Sequence, residues 1–223
     1  VSTEQERPVQ EPGVVVVPAS PADLTEAAAL LAAAFEHEPQ VGALLQHRAP
    51  LRRRAEHLYR ALLAAGPLRR GTVDAARDPS DGRLLGVALW VEPRRGGALL
   101  EPARAAAGLL RGLPDHLRAF RGIDPRHPLG VLGAFERARP RVPHWYLEAV
   151  GVAPAGQGRG VGGALLRHRL ALADAAGEPA YLESSSPRTG ALYRRLGFVP
   201  LGPVRAFADG SGPVDMWRPV TPP

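Results

Sequence analysis

A strand that runs into a glycine-rich turn and then a long helix limits this chain's fold more than any other feature. Trp145 to Val152 reads as the strand. Gln157-Gly158-Arg159-Gly160-Val161-Gly162 follows as the turn, and Gly158 to Ala175 reads as the helix, with Leu165, Leu166 and Leu170 on its apolar stripe. Ala180 to Ser184 then reads as a strand, Gly190 to Leu196 as a short helix, and Phe198 to Ala208 with Asp215 to Pro219 as closing strands. Strand, helix, strand, helix and paired strands commit the carboxy-terminal half to a mixed α/β sheet and exclude a helical bundle or a β-sandwich.

Upstream, the β-branched run Val14 to Pro18 reads as a first strand. Ser20 and Asp23 have the spacing of a capping box, Pro21 suits a first helical position, and Leu24, Ala27, Ala28, Leu31 and Phe35 recur at helical spacing, which predicts a helix over 21–35. Leu51, Ala55, Leu58, Leu62 and Leu63 predict a second helix over 51–65 that stops at Gly66-Pro67. Strands over 71–76 and 83–91 flank Asp78 to Gly82, which has hairpin-turn chemistry. Residues 93–142 form a variable helical region, with stretches over 98–112, 114–121 and 127–138 broken at Gly112 to Pro114, Gly122 to Pro125 and Pro128. The expected organisation is a disordered lead over 1–13 and one domain over 14–223.

The 223 residues include no cysteine, which rules out disulfides, thiolate metal sites and a cysteine nucleophile and fits a cytoplasmic location. The apolar runs are too short to span a bilayer, so no membrane association is expected. All 28 basic residues are arginine and the formal charge is +6, yet aromatic residues make up only 5% and none interleave with the arginine clusters as a base-stacking platform requires. Nucleic acid is therefore not an expected partner, and the histidines lack metal-ligand spacing, so no metal site is expected. Composition leaves a homodimer open.

Two details of the central strand point to chemistry. Leu147 wants the same face as Val150 and Val152, but three residues separate Leu147 from Val150, which breaks strict alternation. One extra residue, accommodated as a bulge near Glu148 to Val150, repairs the pattern. A bulge leaves backbone groups unpaired and splays the strand from its neighbour, an opening that suits an extended ligand carrying amides of its own. The glycine turn supplies the other end of such a track. Its glycines let backbone approach a ligand closely, the first helical N–H groups lack internal partners, and Arg159 adds positive charge at the rim. By itself a glycine-rich helix start serves a tight turn equally well, and neither a phosphate loop nor a dinucleotide fingerprint is complete here.

Gln157-x-x-Gly160-x-Gly162 after a strand ending Val150-x-Val152-x-Pro154 resembles the acyl-CoA signature of the GNAT superfamily of N-acetyltransferases. Pro179 to Arg188 and Leu192-Tyr193-Arg194-Arg195-Leu196-Gly197-Phe198 extend the likeness, which is most similar to the puromycin N-acetyltransferase-like branch. The resemblance implies a mixed, mostly antiparallel sheet flanked by helices, with a bulged, splayed strand that binds acetyl-CoA. It implies cofactor contacts at Val150, Gly151, Val152, at Gln157, Gly158, Arg159, Gly160, Val161, Gly162 and at Thr189, and a catalytic Tyr193 that protonates the departing thiolate. Relatives commonly carry asparagine where this chain has Thr189; threonine can still cap the short helix.

Glu148 and Glu183 are the candidate bases, because an alkylammonium must lose a proton before its nitrogen attacks a thioester. Both are also candidate substrate contacts, as is Tyr146 two positions before Glu148. His144 sits among prolines ahead of the strand and reads as a loop hydrogen-bonding residue. The expected activity is direct transfer of an acetyl group from acetyl-CoA to a primary amine of a small molecule, such as an antibiotic-like or metabolite amine. A protein or peptide acetyltransferase and a non-catalytic acyl-CoA sensor are the alternatives.

Overall fold

Near-continuous apolar sequence in Leu84–Val91 marks a strand buried on both faces, and that strand lies at the middle of the architecture. The computed structural model describes residues 9–11, 13–94, 101–204 and 212–220, with backbone alone for 9–11 and 101–105. Eight strands form one sheet: β1 (Val9–Glu11), β2 (Val14–Pro18), β3 (Val73–Arg77), β4 (Leu84–Val91), β5 (Trp145–Val152), β6 (Ala180–Ser184), β7 (Val199–Pro203) and β8 (Val214–Arg218). Their order is β1-β2-β3-β4-β5-β6-β8-β7, and every pairing is antiparallel except β5 with β6. This is the mixed, mostly antiparallel α/β sheet the sequence implied.

Eight α-helices are described: α1 (Leu24–Ala34), α2 (Pro39–Leu44), α3 (Leu51–Ala64), α4 (Pro67–Arg70), α5 (Glu101–Ala119), α6 (Arg126–Ala138), α7 (Val161–Ala175) and α8 (Pro187–Arg195). One sheet face, through Val16, Ala88, Trp90 and Leu147, buries Leu165, Leu166 and Leu170 of α7 and Tyr193 of α8. The other, through Ala75, Val87, Leu89 and Ala149, buries Ala27, Ala28 and Leu31 of α1 and Ala55, Tyr59 and Leu63 of α3. Gly151 faces α1 so closely that a Cβ there would lie 3.0 Å from Ala34 Cβ and 3.1 Å from Leu31 Cδ2.

Several expectations are corrected. Residues 9–11 pair with β2 as an edge strand instead of belonging to a disordered lead, while 1–8 and 12 lie outside the described residues, as do 205–208 of the expected closing strand. Gly112 to Pro114 does not break α5. Gly108 and Gly112 lie on its contact with α3, where a Cβ at Gly112 would come within 2.9 Å of Ala61 O, so both serve close packing. Leu110, whose carbonyl loses its donor at Pro114, lies on the exposed side. Pro128 falls in the first turn of α6, where its missing N–H costs no helical bond. The long helix starts at Val161, because Gly158 and Gly160 are left-handed, at φ +76° and +75°. The short α2 carries too few residues for a periodic signal and was not legible.

A buried ion pair ties α7 to the sheet. Arg169, 4% exposed, donates from Nη2 to Asp74 Oδ1 at 2.6 Å and from Nε to Asp74 Oδ2 at 3.0 Å, while Asp74 on β3 is fully buried. Its Nη2 also donates to Gly71 O at 2.8 Å. Removing one partner strands the other charge without solvent, so Asp74→Ala is expected to cost about 3–5 kcal/mol of unfolding free energy. Replacing both with Asp74→Ala and Arg169→Met is expected to restore at least half of that loss, measured by guanidinium denaturation of the single and double variants.

Candidate active site

The register of β5 opens the sheet. Leu89 of β4 faces Ala149 while Trp90 faces Leu147, so Glu148 is the extra residue and the bulge lies where the broken alternation placed it. Leu147, Val150 and Val152 accordingly share one face, and Ala149 turns to the other. On its second side β5 pairs with β6 only through Trp145 with Ala180, Tyr146 with Tyr181 and Leu147 with Leu182. Beyond Leu147 that edge of β5 has no strand partner among the described residues, whereas Glu183 and Ser184 stay paired with β8.

A cavity of about 540 Å³ passes through this opening. Tyr146, Glu148, Val150, Gly151, Val152, Gln157, Glu183, Thr189 and Tyr193 line it together. Gly158, Arg159, Gly160, Val161 and Gly162 are not among its lining residues. Val161 is a core side chain, 1% exposed, and offers its backbone alone. At Gly158 and Gly160 no atom lies within 4 Å of where a Cβ would stand, so their positive φ, not crowding, requires glycine there. Gly160 is the N-cap of the fifteen-residue α7, and the first N–H groups of that helix have no intrahelical acceptor. Open backbone donors at a helix start and an unpaired strand edge fit the phosphates and the amide-bearing arm of an acyl-CoA. Arg159 is already engaged: Nη1 donates to Asp78 Oδ2 at 3.0 Å and Nη2 to Gly13 O at 2.9 Å. Hydrogen bonds from Ser80 and Arg159 hold the Asp78 carboxyl down at about 2.

Tyr193 sits on α8, which begins at Pro187, earlier than the sequence suggested. Its cap is Ser186, whose side chain accepts from Thr189 N at 3.2 Å, while Thr189 Oγ1 accepts from Ser186 N at 3.2 Å. Thr189 thus completes a capping box at the third helical position and is not the cap itself. Tyr193 is 6% exposed and meets Phe198 edge-on, with ring centroids 5.9 Å apart. Burial, and then the charge of Glu38, push its hydroxyl well above the ordinary phenol value, so it keeps its proton.

The two candidate bases have different surroundings. Tyr146 donates from its hydroxyl to Glu183 Oε2 at 2.7 Å, and Arg139 Nε lies 3.7 Å from Glu183 Oε1. The Glu183 side chain is only 7% exposed, and Oε1 has no hydrogen-bond partner among the described residues. Arg139 also lies flat over the Tyr146 ring, 3.6 Å from its centroid, and donates to Glu136 Oε2 at 3.0 Å. Tyr146 and Arg139 line both the large cavity and a cleft of about 260 Å³ beyond it, so the stacked pair forms the partition between them. Glu148 accepts no hydrogen bond among the described residues. Burial raises its pKa and Arg139 only partly offsets that. His144 makes the expected loop bond, its Nδ1 lying 2.7 Å from Val142 O.

Sequence reasoning missed Arg139, Glu38 and the aromatic wall of Phe35, Tyr59, Phe120 and Phe135. Nothing in the sequence sets Arg139 apart from the other arginines of its cluster, and of the aromatic residues only Phe35 falls on a predicted apolar stripe. Only the tertiary approach of α5 and α6 to the sheet places them at one cavity.

A mostly antiparallel sheet forced open at a bulged strand, with a glycine-capped helix at the end of the opening, defines the GNAT class of acyltransferase fold. The model of the Acetyltransferase (GNAT) family matches residues 79–198, and the chain belongs to that family of N-acetyltransferases. It is similar to the crystal structure of histone acetyltransferase HPA2 and related acetyltransferase from Corynebacterium glutamicum, with 31% identity and a TM-score of 0.71 over 95% of this chain and 98% of that one. An agmatine N-acetyltransferase shares the fold at 18% identity and a TM-score of 0.61, over 92% of this chain and 97% of that one. Arylalkylamine N-acetyltransferase 2 from Aedes aegypti does so at 15% identity and 0.58, over 93% and 99%. No helix among the described residues is long and apolar enough to cross a membrane.

The raised Glu148 pKa has a consequence for stability. The folded state holds this proton above the ordinary value of 4.5, so between the two pKa values the unfolded state binds fewer protons and stability falls as pH rises. Glu148→Gln removes that penalty. Its melting temperature is expected to exceed the wild type's at neutral pH and to converge with it below the ordinary carboxylate range, in thermal melts across pH.

Proposed function

We propose that this enzyme transfers an acetyl group from acetyl-CoA to the primary amine of a small molecule by direct attack. The observation that carries the reading is the single cavity on which the β5 bulge, the glycine turn's Gln157, three carboxylates and Tyr193 converge. The motif likeness to the puromycin N-acetyltransferase-like branch supports a small amine as acceptor. When bound, acetyl-CoA supplies an activated thioester carbonyl. The unpaired edge of Val150, Gly151 and Val152 would hold its amide arm and orient that carbonyl, and the first turn of α7 would take the phosphates.

The carboxylate assignments follow from their partners. Glu183 is committed to Tyr146 and Arg139 and positions the wall. Burial raises both carboxyls, so their partners make the difference: Glu148, which accepts no hydrogen bond among the described residues, is the better base for the ammonium proton, directly or through water. The freed amine nitrogen bonds to the acetyl carbon, the carbon–sulfur bond breaks, Tyr193 gives its hydroxyl proton to the departing sulfur, and the second proton lost by the nitrogen restores the phenol. The balance is ammonium plus thioester to amide, thiol and one released proton. With no cysteine in the chain, the reading requires no acyl-enzyme thioester.

A peptide amine is the second reading, because the similar Corynebacterium protein is described as a histone acetyltransferase. The α5 and α6 wall and the Arg139 partition favour the small acceptor, since an open groove would suit a peptide better. A thiol-release assay with acetyl-CoA against small amines and lysine peptides separates the two. In the same assay Tyr193→Phe is expected to lower kcat by ~100-fold or more, the usual scale of a general acid, with a smaller change in KM for acetyl-CoA. Unchanged turnover under conditions limited by chemistry would remove Tyr193 from the proton-donor role.

A further inference from the structure

Carboxylates and apolar groups are segregated around the cavity. Glu148 and Glu183 come from β5 and β6, and Glu38 from the turn between α1 and α2, where its charge reaches Tyr193 and Tyr59. Among the described residues, the wall built by α3, α5 and α6 contributes no carboxylate to the cavity lining. It presents Leu58, Leu62, Phe120, Val131, Leu132 and Phe135. Its titratable rings are Tyr59, whose hydroxyl is reached by the charges of Glu148 and Glu38 and so belongs to the polar end, and His116, with Nδ1 3.1 Å from Gly112 O and the ring stacked on Phe120 at an interplanar angle of 12°. With Nδ1 donating to that carbonyl, Nε2 of the neutral ring is left as an acceptor, but it carries no negative charge to set against a second ammonium.

Resting on the proposed acetyl transfer, we infer that the acceptor is an amine with a single positive charge on an apolar, ring-sized body. The ammonium lies at the polar end formed by Glu148, Glu38 and Tyr193, and the body fills the chamber under α3, α5 and α6. A linear diamine reaching into that chamber would set its second ammonium against leucine and phenylalanine side chains with no carboxylate among the described residues beside it, and a charge held against apolar groups without a counter-ion is disfavoured. Glu183 is a poorer partner for it, because Arg139 already shares the charge of that carboxylate and Tyr146 takes up its Oε2. Amphipathic monoamines meet both halves of the cavity, and aromatic bodies gain further from the rings of Phe120 and Phe135.

The test uses the full chain with acetyl-CoA and four amines: phenethylamine, ethylamine, putrescine and a lysine peptide. Thiol release is followed for each, and calorimetry in the presence of CoA reads amine binding without turnover. The expected result is a kcat/KM for phenethylamine at least tenfold above putrescine and the peptide, with the same order of affinity. Val131→Phe fills the chamber and is expected to lower the phenethylamine-to-ethylamine ratio of kcat/KM at least tenfold. Putrescine or the peptide matching phenethylamine overturns the inference while acetyl transfer stands. An unchanged ratio in Val131→Phe also overturns it, and should that variant fail to fold, the wild-type ranking decides. Bound CoA with no thiol release from any amine overturns the transfer reading itself.

Discussion

One extra residue in one strand is the constraint on which the rest of this structure depends. Because Glu148 has no counterpart on β4, the faces of β5 exchange at that point and the strand leaves β6 after Leu147. An open sheet normally satisfies its backbone groups by pairing, so a gap in its middle leaves unpaired donors and acceptors beside a hydrophobic core. Here the gap is lined as a cavity, and the same irregularity that creates it places a carboxylate at its edge.

The surrounding elements hold that opening in place. The buried Asp74 and Arg169 pair anchors α7 on one side of the sheet, which fixes the glycine turn ahead of it. On the other side Gly151 lets α1 settle directly on β5, so the bulged strand is clamped close to the point where it diverges. Gly151 therefore carries a packing role whether or not its backbone also meets a ligand. The capping box of Ser186 and Thr189 does the equivalent task for Tyr193, setting where α8 begins and hence which face its phenol presents.

Arg139 shows how one side chain divides the chemistry. Sitting over Tyr146 and close to Glu183, it supplies a cation to a carboxylate that would otherwise be buried without one, and its charge also reaches Glu148; burial still raises both carboxyls. Two glutamates that look equivalent in sequence thereby differ in their partners: Glu183 is held by Tyr146 and Arg139, and Glu148 accepts no hydrogen bond among the described residues. Environment, not residue type, makes the distinction.

The carboxy-terminal half was legible because its signals are local. A failed two-residue alternation requires an extra residue wherever it occurs, positive-φ turns favour glycine, and apolar stripes at helical spacing need a neighbour to cover them. Those rules located the bulge, the turn before α7 and the helix bearing Tyr193 from Trp145 to Phe198 alone. They failed where meaning depends on distant contact. Gly112 and Pro114 read as a break, yet they lie within α5 because α3 approaches the glycine, and nothing set Arg139 apart from its cluster until α6 delivered it onto Tyr146. Sequence alone thus determined the sheet, its opening and the acyl-CoA resemblance. Only the tertiary structure decided which residues wall the cavity, because α5 and α6 are brought to it by packing between residues far apart in the chain.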